Sequence, residues 1–198
     1  MIVKIAEGYL KTKFGTFLEK LYYDGQKESI ALIMGDVKDK KDILCRVHSA
    51  CLSAHVFNSV ECDCREQMEM SQFLIQQNGA GIIIWLDQEG RANGHMALLN
   101  SAPLREQGLT QSEAYEKLGY ETDARNFKRA SEILNDLGVE SITLLTNNPQ
   151  KIEGLINVGI NISGIKQIFV EPDNEILQKT YMDKISRGHL IRVELDKA

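Results

Sequence analysis

The chain has 198 residues, 43% of them hydrophobic, which is enough for one sizeable core with at most a small appendage. No apolar run approaches the ~20 residues of a membrane span, and the start from Met1 to Gly8 lacks a signal peptide's apolar stretch, so a cytoplasmic location is expected. A net charge of −5 argues against a polyanion-coating surface and hence against a nucleic-acid partner, while leaving room for a small phosphorylated ligand held by a few local cations.

Repeats, low-complexity tracts and linkers are absent from the sequence, which contains three prolines, so residues 1–198 read as a single domain with a C-terminal helical tail from about 175. Strands are predicted at 2–10, 15–23, 29–36 and 43–48, broken at Lys13 to Gly15, at D-G-Q-K and at K-D-K-K-D, with antiparallel pairing expected in this first third. Alternation in D-I-L-C-R-V-H puts Ile43, Cys45 and Val47 on one face and Leu44, Arg46 and His48 on the other, which makes Cys45 a core residue. Helix and strand then alternate. Gln67 to Gln77 reads as a helix ended by Asn78 and Gly79, G-I-I-I-W-L as a buried strand, and T-Q-S-E as a capping box opening a helix to Leu118. In Asn126 to Leu137, Phe127, Ala130, Ile133, Leu134 and Leu137 form one apolar stripe, stopped by Gly138. S-I-T-L-L-T is another buried strand, Pro149 starts a helix running to about Val158, I-K-Q-I-F-V is a late strand, and Glu175 to Arg187 is helical. The fold class is α/β: a single mixed domain of antiparallel N-terminal strands followed by alternating helices and strands.

The strongest chemical signal is Cys51, Cys62 and Cys64 in R-V-H-S-A-C-L-S-A-H-V-F-N-S-V-E-C-D-C. Two thiols at C-x-C can point the same way from an extended backbone, and a third brought back by the intervening loop closes three corners of a tetrahedron, the arrangement zinc favours. A fourth corner left for water is what zinc hydrolases need. The alternatives are a disulfide pair with a spare thiol, scattered core cysteines, or a closed structural site completed by His48 or His55. Reducing surroundings fit four cysteines in a chain of this length.

Two strand-to-helix junctions carry further candidates. D-Q-E-G-R, Asp87 to Arg91, follows a strand directly, so Glu89 is placed to accept from the amino edge of a base and Arg91 to clamp phosphate; the plain alternative is a polar turn. T-N-N-P-Q-K, Thr146 to Lys151, offers free N–H groups at a helix start, or is simply a capped helix. In D-A-R, Asp123 to Arg125, the simplest reading has Asp123 capping the following helix and Arg125 in solvent.

Taken together, R-V-H-S-x-C, C-D-C-x-x-Q, Q-E-G-R, D-x-R and T-N-N-P-x-K, in this order and spacing from about Ile2 to beyond Ile160, strongly resemble the GTP cyclohydrolase II family. The resemblance implies a single α/β domain, generally a homodimer, that holds one catalytic zinc through Cys51, Cys62 and Cys64. It also implies hydrolytic opening of the guanine imidazole ring of GTP at C8, release of formate, and cleavage between the alpha and beta phosphates with magnesium assisting. Asp123 and Arg125 carry over as proton acceptor and nucleophile toward the alpha phosphorus. Because a guanidinium is almost always protonated, electrostatic stabilisation explains Arg125 as well. Substrate contacts carry over to Arg46, Val47, His48, Ser49, Gln67, Glu89, Gly90, Arg91, Thr146 and Lys151, with Val47 acting through its backbone if it faces the core.

Four positions depart from the family pattern. Ala50 stands for the usual glutamate, Arg65 for a glycine, Ala102 for a tyrosine, and Gln111 for a threonine that contacts substrate. Loss of the tyrosine hydroxyl could stop the reaction at a formamidopyrimidine, before formate leaves; Arg65 and His95 could reshape the pocket for another purine nucleotide or a secondary-metabolite pathway. A non-catalytic nucleotide sensor is the alternative from another class. Intact thiols and D-x-R weigh against it, since pure binding needs no open metal site.

Overall fold

The computed structural model describes residues 1–172, 174–186 and 188–190. The chain opens with β1 (Val3–Thr12), β2 (Gly15–Tyr23), β3 (Glu28–Met34) and β4 (Ile43–Ser49). A short helix α1 (Leu52–His55) and a longer α2 (Cys64–Asn78) lead into β5 (Gly81–Leu86). Then come α3 (His95–Glu106), α4 (Gln111–Lys117), α5 (Lys128–Asp136), β6 (Ile142–Leu145), α6 (Pro149–Asn157), β7 (Ile162–Lys166) and α7 (Glu175–Ser186).

All seven strands form one mixed sheet in the order β1-β2-β3-β5-β4-β6-β7. β1, β2 and β3 pair antiparallel as their alternation predicts, and β3 pairs antiparallel with β5. β4 corrects the expectation for the first third. It is separated from β3 by β5 and runs parallel to both β5 and β6. The reason is in the burial: every residue of β4 from Ile43 to His48 is buried, the signature of a central strand covered on both faces rather than of a half-solvated meander.

Two apolar layers sandwich the sheet. On one face Ile43, Cys45 and Val47 join Ile82, Ile84, Ile142 and Leu144, covered by Phe127, Ala130, Ile133, Leu134 and Leu137 and by Leu155 of α6. On the other, Leu44, Ile83 and Leu145 meet Ile75 of α2 together with Phe17 and Ile168. Full burial of an isoleucine such as Ile82, Ile83 or Ile84 contributes about 1.5–3 kcal/mol, so the G-I-I-I-W-L strand is a large local source of stability. Gly79 ends α2 in the left-handed region at φ 77°, as predicted. Gly35, at φ 69°, comes so close that a side chain there would meet the Gly79 carbonyl oxygen at 2.4 Å.

Elsewhere boundaries move for visible reasons. The late strand is Ile162–Lys166 rather than 165–170, because the Asn147 side chain accepts from Ile168 N at 2.9 Å and donates to its carbonyl, taking the place of a strand partner. The capping box at Thr110 and Glu113 forms, and the helix after it ends at Leu118 as expected. α5 begins at Lys128, later than Asn126, because Asn126 Oδ1 accepts from Lys128 N while the Gln88 amide holds the Asn126 carbonyl. α3 was not foreseen: its two alanines, Asn100, Ser101 and Pro103 give a weak periodic signal. The predicted helical end at Arg187 and the tail at 191–198 lie outside the described residues.

Candidate active site

The parallel run β5-β4-β6 brings three carboxyl ends to one edge of the sheet, where ligands of open α/β sheets commonly bind. Ser49 pairs with Leu86 at that edge, and Ala50 N donates to the Leu86 carbonyl at 2.9 Å, so Cys51 and the Q-E-G-R loop leave the sheet side by side. Thr146 to Lys151 leaves from the end of β6.

Cys51, Cys62 and Cys64 converge, with their sulfurs all within 4.8 Å of one another. The closest pair, Cys51 and Cys62, is 3.6 Å apart, so no disulfide joins them, and all four cysteines are free. Neither His48 nor His55 belongs to the cluster among the described residues. His55 Nε2 instead lies 3.3 Å from the Cys64 carbonyl, to which it donates, and its ring stands 5.0 Å from that of His48. The hydrogen bonds the thiols share act in both directions: the Cys62 contact lowers Cys51, and the Cys51 contact raises Cys62 and lowers Cys64. The remaining thiol contacts raise Cys51 and Cys64 and lower Cys62, burial then raises all three, and each ends at about 12. Three half-buried sulfurs this close fit a soft divalent ion such as zinc, which stabilises them as thiolates. Cys45, by contrast, lies in the core, where burial alone pushes its thiol up to about 12.

Beside the thiols stands a polar wall from β4. Arg46 is buried; its Nη1 donates to the Leu145 carbonyl at 2.9 Å and its Nη2 to Gln67 Oε1, leaving Nε without a partner. Both ring nitrogens of His48 and the hydroxyl of Ser49 are likewise buried and unpartnered. Buried polar groups are normally satisfied, so this cluster of orphans at one sheet edge makes it a candidate ligand site. Val47 faces the core, and its carbonyl accepts from Lys151 Nζ at 2.9 Å. Glu89 Oε2 accepts from Leu52 N at 2.6 Å, tying the Q-E-G-R loop to the segment after Cys51. Gly90 and Arg91 both adopt positive φ, and Arg91 Nη1 donates to Ser112 Oγ at 2.7 Å and to the Thr122 carbonyl at 3.2 Å.

That last bond, with Ala124 N donating to the Arg91 carbonyl at 3.0 Å, lashes the D-A-R segment to the loop after β5. The simple reading of D-A-R is thereby corrected. Asp123 does not cap α5, which starts five residues later, and Arg125 is not in solvent. Arg125 Nε donates to Asp123 Oδ1 at 2.8 Å and Nη2 to Oδ2, a bidentate pair with side chains 15% and 22% exposed. Burial would raise the Asp123 carboxyl, but the hydrogen bonds and charge of Arg125 outweigh it and hold it below the usual carboxylate range. The pair lines a cleft of about 380 Å³ together with Gln150, Lys151, Phe127 and Gly154. Burial, then the charges of Arg46 and Arg125, press Lys151 well below the ordinary lysine range; an anion arriving beside it would offset those charges and favour its protonated form.

His48 offers a pH test. Burial first, then the charges of Arg46 and Lys151, depress its pKa well below 6.5. Its folded form therefore refuses a proton that the unfolded chain takes up, and stability falls as pH drops through about 6.5, by up to about 1.4 kcal/mol per unit. Urea titrations at pH 7 and pH 5.5 with a chelator present should show wild type losing about 1 kcal/mol more than His48→Gln over that interval. Equal losses would mean that His48 titrates normally in the fold.

Of the residues singled out from sequence, Gln111 sits apart from the thiols' wall: its amide donates to the Tyr115 hydroxyl at 2.8 Å, and that hydroxyl packs against Gly90. Thr146 Oγ1 accepts from Asn148 N at 3.1 Å, shaping the turn into α6, where Asn148 caps Gln150 and Lys151. Arg65 donates to the carbonyls of Ala54 and His55, pinning α1 against α2. Gln88 and Asp63 were missed, although both lie inside quoted motifs. Gln88 is buried and holds Asn126; Asp63 is buried between two of the cysteines.

Comparison with known proteins agrees with this geometry. The family model described as GTP cyclohydrolase II matches residues 3–167. The riboflavin biosynthesis protein RibBA of Bacillus cytotoxicus is 39% identical over 97% of this chain and 49% of its own length; that of Bacillus mycoides is 38% identical over 98% and 49%. The chain thus spans about half the length of these curated relatives. A two-domain 3,4-dihydroxy-2-butanone 4-phosphate synthase from A. baumannii, RibBX, is 17% identical with a TM-score of 0.46, over 86% of this chain and 40% of its own. Motifs in register, a matching family model over most of the chain and relatives aligned along nearly all of it place this chain in the GTP cyclohydrolase II family of hydrolases.

Proposed function

We propose that this chain catalyses zinc-dependent hydrolytic opening of the guanine imidazole ring of GTP with release of pyrophosphate. The product is a formylaminopyrimidine ribonucleotide or, after loss of formate, the aminopyrimidine. The observation that carries the reading is the three-thiol cluster beside unpartnered, buried Arg46 Nε, His48 and Ser49 Oγ, on the same sheet edge as the cationic cleft of Arg125 and Lys151. Base and triphosphate have separate, chemically matched places. The relatives' naming as riboflavin biosynthesis proteins supports assigning the product to that pathway.

Cys51, Cys62 and Cys64 would hold the zinc, which would supply the Lewis acidity that makes a hydroxide nucleophile available near neutral pH. The chain's own residues do the rest. Glu89, already bound to the arm after Cys51, is placed to accept from the amino edge of guanine. The orphaned donors of β4 orient the nucleoside and exclude bulk water. Lys151, Arg91 and Arg125 face the phosphates, with Mg²⁺ accompanying them. An arginine clamped by a carboxylate stays protonated, so Arg125 stabilises charge building on the phosphoryl group rather than attacking it. Asp123 aims and holds that guanidinium. A homodimer is part of the proposal; the exposed edge strand β1, with Val3, Ile5 and Tyr9 outward, offers a surface that sedimentation velocity would read directly.

Mass spectrometry of products from GTP with zinc and magnesium tests the whole reading. One water added at C8 breaks the C8–N9 bond and leaves the formyl group on N7; a second removes it as formate, and a third attacks the alpha phosphorus, breaking the bond to the bridging oxygen so that pyrophosphate leaves. A pyrimidine product lacking two phosphates is expected, and its formyl group, kept or lost, reads the consequence of Ala102. Bound but unchanged GTP would replace the enzyme with a nucleotide sensor, and faster turnover of another purine nucleotide would move the substrate.

A further inference from the structure

Asp63 stands between two metal-ligand candidates and precedes α2 as its N-cap, yet its side chain makes no capping bond to that helix. An aspartate there ordinarily accepts from the first-turn N–H groups. This one is turned elsewhere. It is 2% exposed, and Lys184 Nζ reaches its Oδ1 at 2.6 Å. The Tyr181 hydroxyl lies 2.7 Å from its Oδ2 and 2.8 Å from the Val170 carbonyl; with a single proton it donates to the carboxylate, the stronger acceptor. Gln67 Nε2 donates to the same Oδ2 at 2.7 Å.

The neighbouring residue is held as well. Thr180 Oγ1 lies 3.0 Å from the Glu61 carbonyl and 3.1 Å from that of Ile176, which share its one proton, and Arg105 of α3 bonds the Glu61 carboxylate at 2.9 Å. Residues on both sides of Cys62 are therefore anchored, chiefly by α7, which lies beyond the stretch matched by the family model. The chain of contacts continues inward. Gln67 passes from Asp63 to Arg46, whose Nε is buried without a partner among the described residues.

We propose that Tyr181 and Lys184 are positioning residues, making α7 a clasp that fixes Asp63 and through it the sulfurs of Cys62 and Cys64 and the guanidinium of Arg46. The inference rests on the zinc reading of the thiol cluster. Neither residue touches the thiols or the substrate; they set where those groups stand. Partners outside the ligand set commonly matter this much, and here the C-x-C tripeptide gives two ligands whose spacing follows the residue between them.

Two measurements on Tyr181→Phe, Lys184→Met and Lys184→Arg test it, with the exposed Lys179→Met as control. In metal-free protein, alkylation of Cys62 and Cys64 should quicken about tenfold relative to Cys51 in the first two variants, with partial rescue by arginine; a general loss of stability would quicken all three alike. In competition with a chromophoric chelator, zinc affinity should fall about 10- to 100-fold in the same variants. An unchanged alkylation ratio overturns the clasp, as does a zinc affinity within about twofold of wild type. If the wild-type chain takes up no zinc while Tyr181→Phe and Lys184→Met still show the altered alkylation ratio, the clasp stands and the zinc reading falls instead.

Discussion

Cys62→Ser is expected to leave a folded chain that holds little zinc and turns over GTP more than about a hundredfold more slowly. The bound follows from the milder case, since losing even an outer hydrogen-bond partner of a metal ligand costs about 10- to 100-fold. The fold should survive because the three thiols sit at the sheet edge, outside both apolar layers. Cys45→Ala should do the reverse. That thiol is fully buried among Ile43, Val47 and Leu144, so its loss leaves a small cavity and costs about 1 kcal/mol of stability, with zinc content and turnover retained. Metal content of the purified variants, thermal melting and product formation separate the two cysteines. A Cys62→Ser chain retaining full zinc and full turnover would dismiss the cluster as the reactive centre.

The second large effect is at Arg125. Replacing it with alanine should lower kcat about 10²–10³-fold, the cost of removing one preorganised donor from a developing oxyanion. Lysine should restore little of that, because the pairing with Asp123 is bidentate and needs the planar fork. Asp123→Asn should fall between the two, since the guanidinium keeps its charge and loses its aim. The electrostatic role and the nucleophilic one part at a single observation. With GTP radiolabelled at the alpha phosphate, reactions quenched under mildly alkaline denaturing conditions, which spare a phosphorus–nitrogen bond, should carry no label on the protein; stoichiometric labelling that disappears in Arg125→Ala would establish a covalent step at the guanidinium.

Much of this site was legible in the residues alone. C-x-C with a distant third cysteine says metal because sulfur chemistry and spacing are local properties. The alternation of D-I-L-C-R-V-H sorted Cys45 from Arg46 and His48 correctly because a strand's side chains change face at every residue, whatever the strand pairs with. The capping box at Thr110, the glycine stop at Gly79 and the stripe from Phe127 to Leu137 were read for the same reason.

What the residues did not disclose are relations between distant segments. Sequence neighbours β3 and β4 are not partners, and only the insertion of β5 between them turns β4 parallel to β5 and β6. Without that topology the cysteine arm, the Q-E-G-R loop and the T-N-N-P-Q-K turn would not leave from one edge. D-A-R, read as a helix cap, became a clamped ion pair because Arg91 and Gln88, more than thirty residues away in sequence, hold its backbone clear of α5. Asp63 carries no signal of its own in C-D-C; its partners Tyr181 and Lys184 come from α7, more than a hundred residues along the chain. Ligand chemistry, strand faces and caps were set by neighbours along the chain; parallel pairing, the Asp123–Arg125 clamp and the α7 contact depend on loop closures whose energetics no local pattern encodes.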